Sequence, residues 1–201
     1  MGLAPRRPDR EGRAMNARMV ETTVTYLAME ARPTHLPPMP STPRLALIKA
    51  EATPVHFYRY LYEAVGGSCL WVERLELSDA ELGHKIHTIG IEIFVLYANG
   101  SPAGYFELDR REPEHVRLVY FGLTPEWIGK RIGPWFLGAA ISEAFSRGAK
   151  SLRVNTCTLD HPAALPLYQK LGFSPIRRES RQLRLPAGLA IPGHIAAGMS
   201  R

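Results

Sequence analysis

A basic, glycine-containing turn follows an apolar run in the middle of the chain. Residues 119–133 read Val-Tyr-Phe-Gly-Leu-Thr-Pro-Glu-Trp-Ile-Gly-Lys-Arg-Ile-Gly, which is typical of a strand, a short turn and a helix start. The first N–H groups of a helix lack backbone partners and carry partial positive charge, so they attract anions. Gly129 and Gly133 leave room for a phosphate beside the backbone, and Lys130 and Arg131 add positive charge. The stretch therefore predicts a diphosphate site, although such glycines also occur in plain strand-to-helix turns.

A second stretch, residues 160–173, predicts a helix that carries a tyrosine on its inward face. It reads Asp-His-Pro-Ala-Ala-Leu-Pro-Leu-Tyr-Gln-Lys-Leu-Gly-Phe. Its apolar residues recur at the spacing of one helix face: Ala164, Leu167, Tyr168 and Leu171. Asp160 is the expected N-cap, Pro162 suits the first turn and Gly172 ends the helix. Taken alone, Tyr168 is most simply a core aromatic residue.

Together the two stretches resemble the GNAT acyltransferase superfamily, whose members transfer acetyl groups from acetyl-coenzyme A to amines. The first matches the family's pyrophosphate loop, Arg/Gln-x-x-Gly-x-Gly/Ala, and the second matches its Asn-x-x-Ala-x-x-x-Tyr-x-x-x-Gly-Phe helix. The match covers residues 91–178 well and the preceding region loosely. Three positions depart from the pattern: Ile128 replaces Arg or Gln, Arg131 replaces the middle glycine, and His161 replaces Asn.

The resemblance implies an α/β (α+β) fold. Its central sheet is mixed and mostly antiparallel, with flanking helices and a splayed pair of parallel strands that admits the pantetheine arm. It implies acetyl-CoA as cosubstrate and no metal; His84 and His87, three residues apart, make a poor metal site without further ligands. The residues that would contact the cofactor are Phe121, Leu123, Gly129, Lys130, Arg131, Ile132, Gly133, Asn155, His161, Ala164 and Tyr168.

The resemblance also assigns chemical roles. Tyr168 would protonate the departing thiolate, since a phenol is protonated at neutral pH. The backbone N–H of Leu123 would polarise the thioester carbonyl. Glu107 is the expected general base, with Asp109 and His161 as alternatives. Glu107 could instead be an exposed strand carboxylate with no role in catalysis.

Local patterns position these residues. Strands are predicted at 21–30, 44–50, 91–97, 104–109, 116–121, 151–157 and 173–183, and helices at 54–65, 78–90 and 130–147. Ser78 and Glu81 have capping-box spacing, and Asn99-Gly100 is a hairpin turn. The strands around Asn99-Gly100 and the one after them should form an antiparallel meander. In that last strand we expect the side chains of Val116, Leu118 and Tyr120 on one face, opposite those of Arg117, Val119 and Phe121.

Length and charge indicate one globular domain with basic ends. The net charge of +6 divides into +3 for residues 1–20, −1 for 21–173 and +4 for 174–201. Residues 1–20 are predicted to be a disordered tail, 21–183 the acetyltransferase domain and 184–201 a flexible tail. Because the folded part is nearly neutral, binding of nucleic acid is not expected, though basic tails would allow it. Cys69 and Cys157 give no disulfide framework and favour a reducing compartment.

These observations predict a cytoplasmic, acetyl-CoA-dependent N-acetyltransferase that acts by direct transfer in a ternary complex. The alternative is a GNAT-fold module that binds acyl-CoA, serves a regulatory role and has no turnover. We expect a small-molecule or peptide amine as acceptor and no membrane partner. A homodimer is suggested by the resemblance alone.

Overall fold

A seven-stranded sheet runs through the computed structural model, which describes residues 18–186, 189, 191–192 and 195. The strands are β1 Arg18–Met29, β2 Leu45–Lys49, β3 Ile91–Ala98, β4 Ser101–Asp109, β5 His115–Leu123, β6 Ser151–Cys157 and β7 Ser174–Leu185. Their order is β2-β3-β4-β5-β6-β1-β7. All neighbours are antiparallel except β5 and β6, which are parallel. The predicted mixed, mostly antiparallel sheet is confirmed.

In the part of the chain that the structure describes, four α-helices cover the two faces of this sheet: α1 Val55–Gly66, α2 Asp79–Ile86, α3 Gly133–Phe145 and α4 Ala164–Lys170. Helices α1 and α2 bury Tyr58 and Leu82 against one face. Helices α3 and α4 bury Phe136 and Tyr168 against the other. None of the helices in the described residues is both long enough and apolar enough to span a membrane.

Two local signals predict their elements correctly. The Ser78 side chain accepts from the Glu81 N–H while the Glu81 carboxylate accepts from the Ser78 N–H, which is the predicted capping box. That helix ends at Ile86, however, and not near residue 90. Asn99 and Gly100 have φ of 51° and 88°, as a tight hairpin requires, and they join β3 to β4.

A β-bulge in β5 overturns the predicted alternation of side chains. Glu107 of β4 is opposite Tyr120, whereas Leu108 is opposite Leu118, so Val119 has no partner in the ladder. Because of this extra residue, each side chain after Val119 lies on the face opposite to the one that simple alternation predicts. Phe121 therefore packs with Leu118 on the α3 side, and Tyr120 packs on the α1 side. The grouping of Tyr120 with Val116 and Leu118 was wrong, because a bulge depends on the partner strand and has no local signature here.

The predicted tails are too long at both ends. Arg18 to Val20 belong to β1, and Arg184 and Leu185 belong to β7. Three residues that were assigned to the tails, Val20, Leu185 and Ile195, are buried in one cluster with Leu70 and Val72. Burial of these apolar side chains orders the backbone that carries them. The remaining predictions for 1–17 and for most of 187–201 lie outside the described residues.

Candidate active site

The parallel pair of strands separates partway along its length. β5 and β6 are paired only over His115–Leu118 and Ser151–Val154, although β5 continues to Leu123 and β6 to Cys157. Beyond Leu118 the two strands diverge, which is the splay implied by the resemblance. The gap opens into a cleft of about 1120 Å³.

The backbone of Leu123 faces this gap. In an antiparallel ladder, hydrogen-bonded and non-hydrogen-bonded pairs alternate. Thr124 donates to the carbonyl of Ala103 at 2.9 Å, so the next pair, Leu123 with Gly104, is the non-hydrogen-bonded one. The N–H of Leu123 therefore points away from β4, towards the side on which β6 has diverged. A donor with no strand partner lies at the position predicted for the carbonyl-polarising group.

The predicted diphosphate loop forms the entrance to α3. Gly129 and Arg131 have φ of 78° and 64°, left-handed values that turn the chain sharply before the helix. Because of this turn α3 begins at Gly133, and the predicted start at residue 130 was wrong. No residue in the described part of the chain accepts from the backbone N–H of Gly129, Arg131, Ile132 or Gly133.

The side chains of this loop differ in their access to the cleft. Gly129, Arg131 and Gly133 line it, and a Cβ at Gly129 would meet open space. Ile132 is fully buried in the core and Lys130 is exposed outside the cleft lining. Contacts from Lys130 and Ile132 to a bound anion would therefore come from the backbone.

Tyr168 lies on the inward face of α4, as predicted, and borders the cleft. Its side chain is 5 % exposed and its ring packs against those of Phe121 and Phe173, at centroid distances of 6.3 and 5.7 Å. Its hydroxyl has no hydrogen-bond partner among the described residues. Burial, together with the nearby Asp160 and Cys69, raises the pKa of Tyr168 above its usual value, so the phenol stays protonated at neutral pH.

The start of α4 differs from the prediction. Asp160 does not cap the helix, which begins at Ala164. Its carboxylate accepts from the Thr156 hydroxyl at 2.8 Å, the Cys157 N–H at 2.9 Å and the Trp71 indole N–H at 3.2 Å. These three donors draw the side chain back towards β6 and away from the helix.

The remaining predicted cofactor residues gather at the same cleft. Asn155 and His161 are exposed. Both line the cleft, and so do the partly buried Ala164, Phe121 and Leu123. The Nδ1 atom of His161 accepts from the Ala163 N–H at 3.2 Å, so Nε2 carries the proton in the neutral ring.

Glu107 lies apart from this group. It is fully buried, and its two carboxylate oxygens accept from the Tyr58 hydroxyl at 2.5 Å and from Arg74 Nη2 at 2.8 Å. Burial raises the pKa of Glu107, against the opposing effects of Arg74 and Tyr58. Glu107 borders a smaller pocket with Asp109 and does not line the main cleft. Its role as a base stays a prediction.

Sequence reasoning missed several residues of the cleft. The segment after α1 crosses towards the β6–α4 loop and brings Cys69 and Trp71 into the lining. The sheet face opposite α3 and α4 contributes Tyr26, Arg117 and Arg153. Nothing in the sequence pairs Trp71 with Asp160, because contacts between distant segments leave no periodic pattern.

A family model described as the acetyltransferase (GNAT) family matches residues 53–173. A search of curated proteins finds no match. Among solved structures, the chain is similar to a GCN5-related N-acetyltransferase from Sphaerobacter thermophilus, with a TM-score of 0.61 and 14% identity over 89% of this chain and 56% of that one. It is also similar to a GCN5-related N-acetyltransferase from Kribbella flavida, with a TM-score of 0.56 and 16% identity over 92% of this chain and 63% of that one.

A third similar structure is an aminoglycoside acetyltransferase from an uncultured soil metagenomic sample, in complex with sisomicin. Its TM-score is 0.52 and its identity 11%, over 64% of this chain and 87% of that one. At such low identities the structural likeness concerns the fold alone. The chain spans less than two thirds of the length of the Sphaerobacter and Kribbella structures.

Proposed function

Because the chain belongs to the GNAT acetyltransferase family, we propose that it transfers the acetyl group of acetyl-CoA directly to a primary amine in a ternary complex. The observation that carries the proposal is the convergence of three features on one cleft. These are the unpaired N–H groups of the loop before α3, the N–H of Leu123 in the gap between β5 and β6, and the phenol of Tyr168. The two unpaired cysteines favour the cytoplasm as the compartment.

The loop residues fit the diphosphate of the cofactor. Several N–H groups and the Arg131 guanidinium lie at the positive end of α3, and Gly129 leaves space for an anion. Backbone donors need no particular side chain, so Ile128 in place of Arg or Gln does not remove them. Arg131 adopts the left-handed backbone that the family's glycine would suit, and it adds a charge.

Two groups of this chain would act on the reacting atoms. Acetyl-CoA supplies an activated thioester and a thiolate leaving group. The Leu123 N–H would donate to the carbonyl oxygen as negative charge develops there. Tyr168, held neutral by burial, would donate its proton to the sulfur as the carbon–sulfur bond breaks. Candidates for the base are Glu107, Asp109 and His161, of which His161 lines the cleft.

Calorimetry with acetyl-CoA tests the cofactor site. We expect Gly129→Glu to weaken binding at least about a hundredfold, since a like charge beside the diphosphate opposes it by several kcal/mol. Gly148→Glu is the matched control, because Gly148 has the same φ of 78° and equally open surroundings but does not line the cleft. Absence of binding to the folded wild type would overturn the proposal.

Tyr168→Phe tests the catalytic step. Without the phenolic proton we expect kcat to fall about 10²- to 10⁴-fold, with little change in the affinity for acetyl-CoA. Tyr60→Phe is the control, because Tyr60 is half exposed and lies outside the cleft lining. Acetyl-CoA binding without acetylation of any amine would favour the non-catalytic module instead.

A further inference from the structure

The cleft has a second side, on the sheet face opposite Phe121 and Tyr168. There, Arg117 of β5 is the register partner of Arg153 of β6, in the last stretch where these strands are paired. Both side chains are exposed and both line the cleft. Two residues further along β6, Asn155 lies on the same face at the edge of the gap. The arginine pair is therefore adjacent to the place where the two strands separate.

This pairing of like charges is compensated only in part within the described residues, since Arg117 lies near enough to Asp109 to help lower the pKa of that carboxyl. Like charges directly opposite each other on neighbouring strands destabilise a sheet. Neither Arg117 nor Arg153 makes an ion pair or a hydrogen bond with any residue described. Asp109 is the register partner of Arg117 on β4, but Arg111 already engages both of its oxygens, at 2.7 to 3.2 Å.

Two other arginines on the same face have a carboxylate partner, which sets Arg117 and Arg153 apart. Arg177 and Arg181 of β7 both pair with Glu179, and Arg177 also stacks over the Tyr26 ring at 4.2 Å. Three carboxylates line the cleft as well: Glu73, Glu112 and Asp160. None of them forms an ion pair with Arg117 or Arg153 among the described residues, and Asp160 is already engaged by three donors. Two adjacent guanidinium groups thus remain available to a ligand.

We propose that Arg117 and Arg153 hold an oxyanion, a carboxylate or a phosphate, on the acceptor, so that the acceptor is an anionic amine. The proposal rests on the acetyltransferase function above and specifies its substrate class. Guanidinium groups bind such oxyanions through paired, charge-assisted hydrogen bonds. The cofactor diphosphate is assigned to the loop before α3, on the side of the sheet that carries Tyr168, so the arginine pair is left to the acceptor.

The test compares amines that differ only in the anionic group. The common amino acids are paired with their amides, and O-phosphoethanolamine is paired with ethanolamine, to separate carboxylate from phosphate. Binding to the CoA-loaded protein is measured by calorimetry, and acetylation is measured as kcat and KM with acetyl-CoA. We expect at least one anionic member to bind about tenfold or more tightly than its neutral partner.

Substitution of the pair supplies the second arm. Arg153→Gln should raise KM for the preferred anionic amine about tenfold, leaving its neutral partner and the Kd of acetyl-CoA unchanged. Arg178→Gln is the control, because it removes the same charge from an exposed residue on β7 outside the cleft lining.

The outcomes separate this proposal from the one on which it rests. Equal binding of anionic and neutral partners, or binding of neither while CoA binds, would overturn the anionic acceptor and leave the cofactor site standing. A rise in the Kd of acetyl-CoA in Arg153→Gln would assign the arginine to the cofactor instead. Failure of the wild type to bind acetyl-CoA would count against the transferase itself.

Discussion

The environment of Glu107 differs from that of an exposed strand carboxylate, which was the alternative to its role as a base. The carboxylate lies between the Tyr58 hydroxyl and the Arg74 guanidinium, and Arg74 in turn stacks over the Tyr120 ring at 5.3 Å. The Arg74 Nη1 atom and the Tyr105 hydroxyl beside this network are buried without a partner among the described residues. The carboxylate therefore holds together α1, β4 and the segment after α1, whatever its part in catalysis.

Glu107→Gln separates the two roles. The amide would leave the Arg74 charge buried and unpaired, so we expect a loss of about 3–5 kcal/mol in the free energy of unfolding, measured by urea denaturation. If Glu107 is also the base, kcat of the folded variant should fall and its dependence on pH should change. Unchanged kcat in a destabilised variant would restrict Glu107 to the structural role.

Among single residues, those with local signals could be predicted from the sequence and those with distant partners could not. Tyr168 is fixed by its helical spacing, and the loop glycines by their position after an apolar strand. The hydrogen bond from Trp71 to Asp160 and the bonds of buried Glu107 to Tyr58 and Arg74 join segments that are far apart in the chain. A helix-capping pattern at Asp160 was therefore a false signal.

At the scale of elements, the end of α1 and the segment after it are held by one close contact. The Trp71 ring packs directly on Gly66, where a Cβ would come within 2.3 Å of the ring. Leu70 before it has a left-handed backbone, and the Trp71 indole donates to Asp160 across the cleft. The glycine thus allows the tryptophan to reach the β6–α4 loop.

Gly66→Ala should displace the Trp71 ring and weaken this link. We expect a loss of about 1–3 kcal/mol from overpacking, visible as a lower urea midpoint and as altered tryptophan fluorescence. Gly67→Ala is the control, since Gly67 has ordinary helical dihedrals and open surroundings. A loss of the same size in both variants would contradict the contact as its cause.

Individual elements could be predicted where their signal lies within a few neighbouring residues. The capping box at Ser78 and the turn at Asn99-Gly100 involve neighbours in sequence, and both are present. The bulge at Val119 was not predictable, because it arises from the register between β4 and β5. Since that bulge puts Phe121 on the face of Leu118 and Tyr120 on the other face, the two walls of the cleft could not be assigned from alternation alone.

At the scale of the whole molecule, an ion cluster joins the sheet to the end of α3. Glu92 accepts hydrogen bonds from Lys49, Arg110 and Arg147, while Arg110 also donates to the carbonyls of Glu143 and Ala144. Burial alone would raise the pKa of Glu92, but these cations lower it below its usual value.

The cluster predicts a loss of stability in acid. Because the folded pKa of Glu92 lies below the unfolded value of about 4.3, its contribution is complete above that pH and disappears as the pH falls through the folded value. Glu92→Gln should cost about 3 kcal/mol at neutral pH. The difference from wild type, measured by urea denaturation, should shrink as the pH falls below about 4. A difference that is constant from pH 7 to pH 3 would contradict this assignment.

The place of β1 between β6 and β7 has a consequence for biosynthesis. Among the strands of the described residues, β1 comes first in the chain, yet it pairs only with the last two. Pairings between segments so far apart in sequence form slowly, and they cannot form on the ribosome until β6 has emerged. The wall that carries Tyr26 and Asn155 is therefore completed late, and a ligand that needs this wall stabilises only chains that have reached that stage.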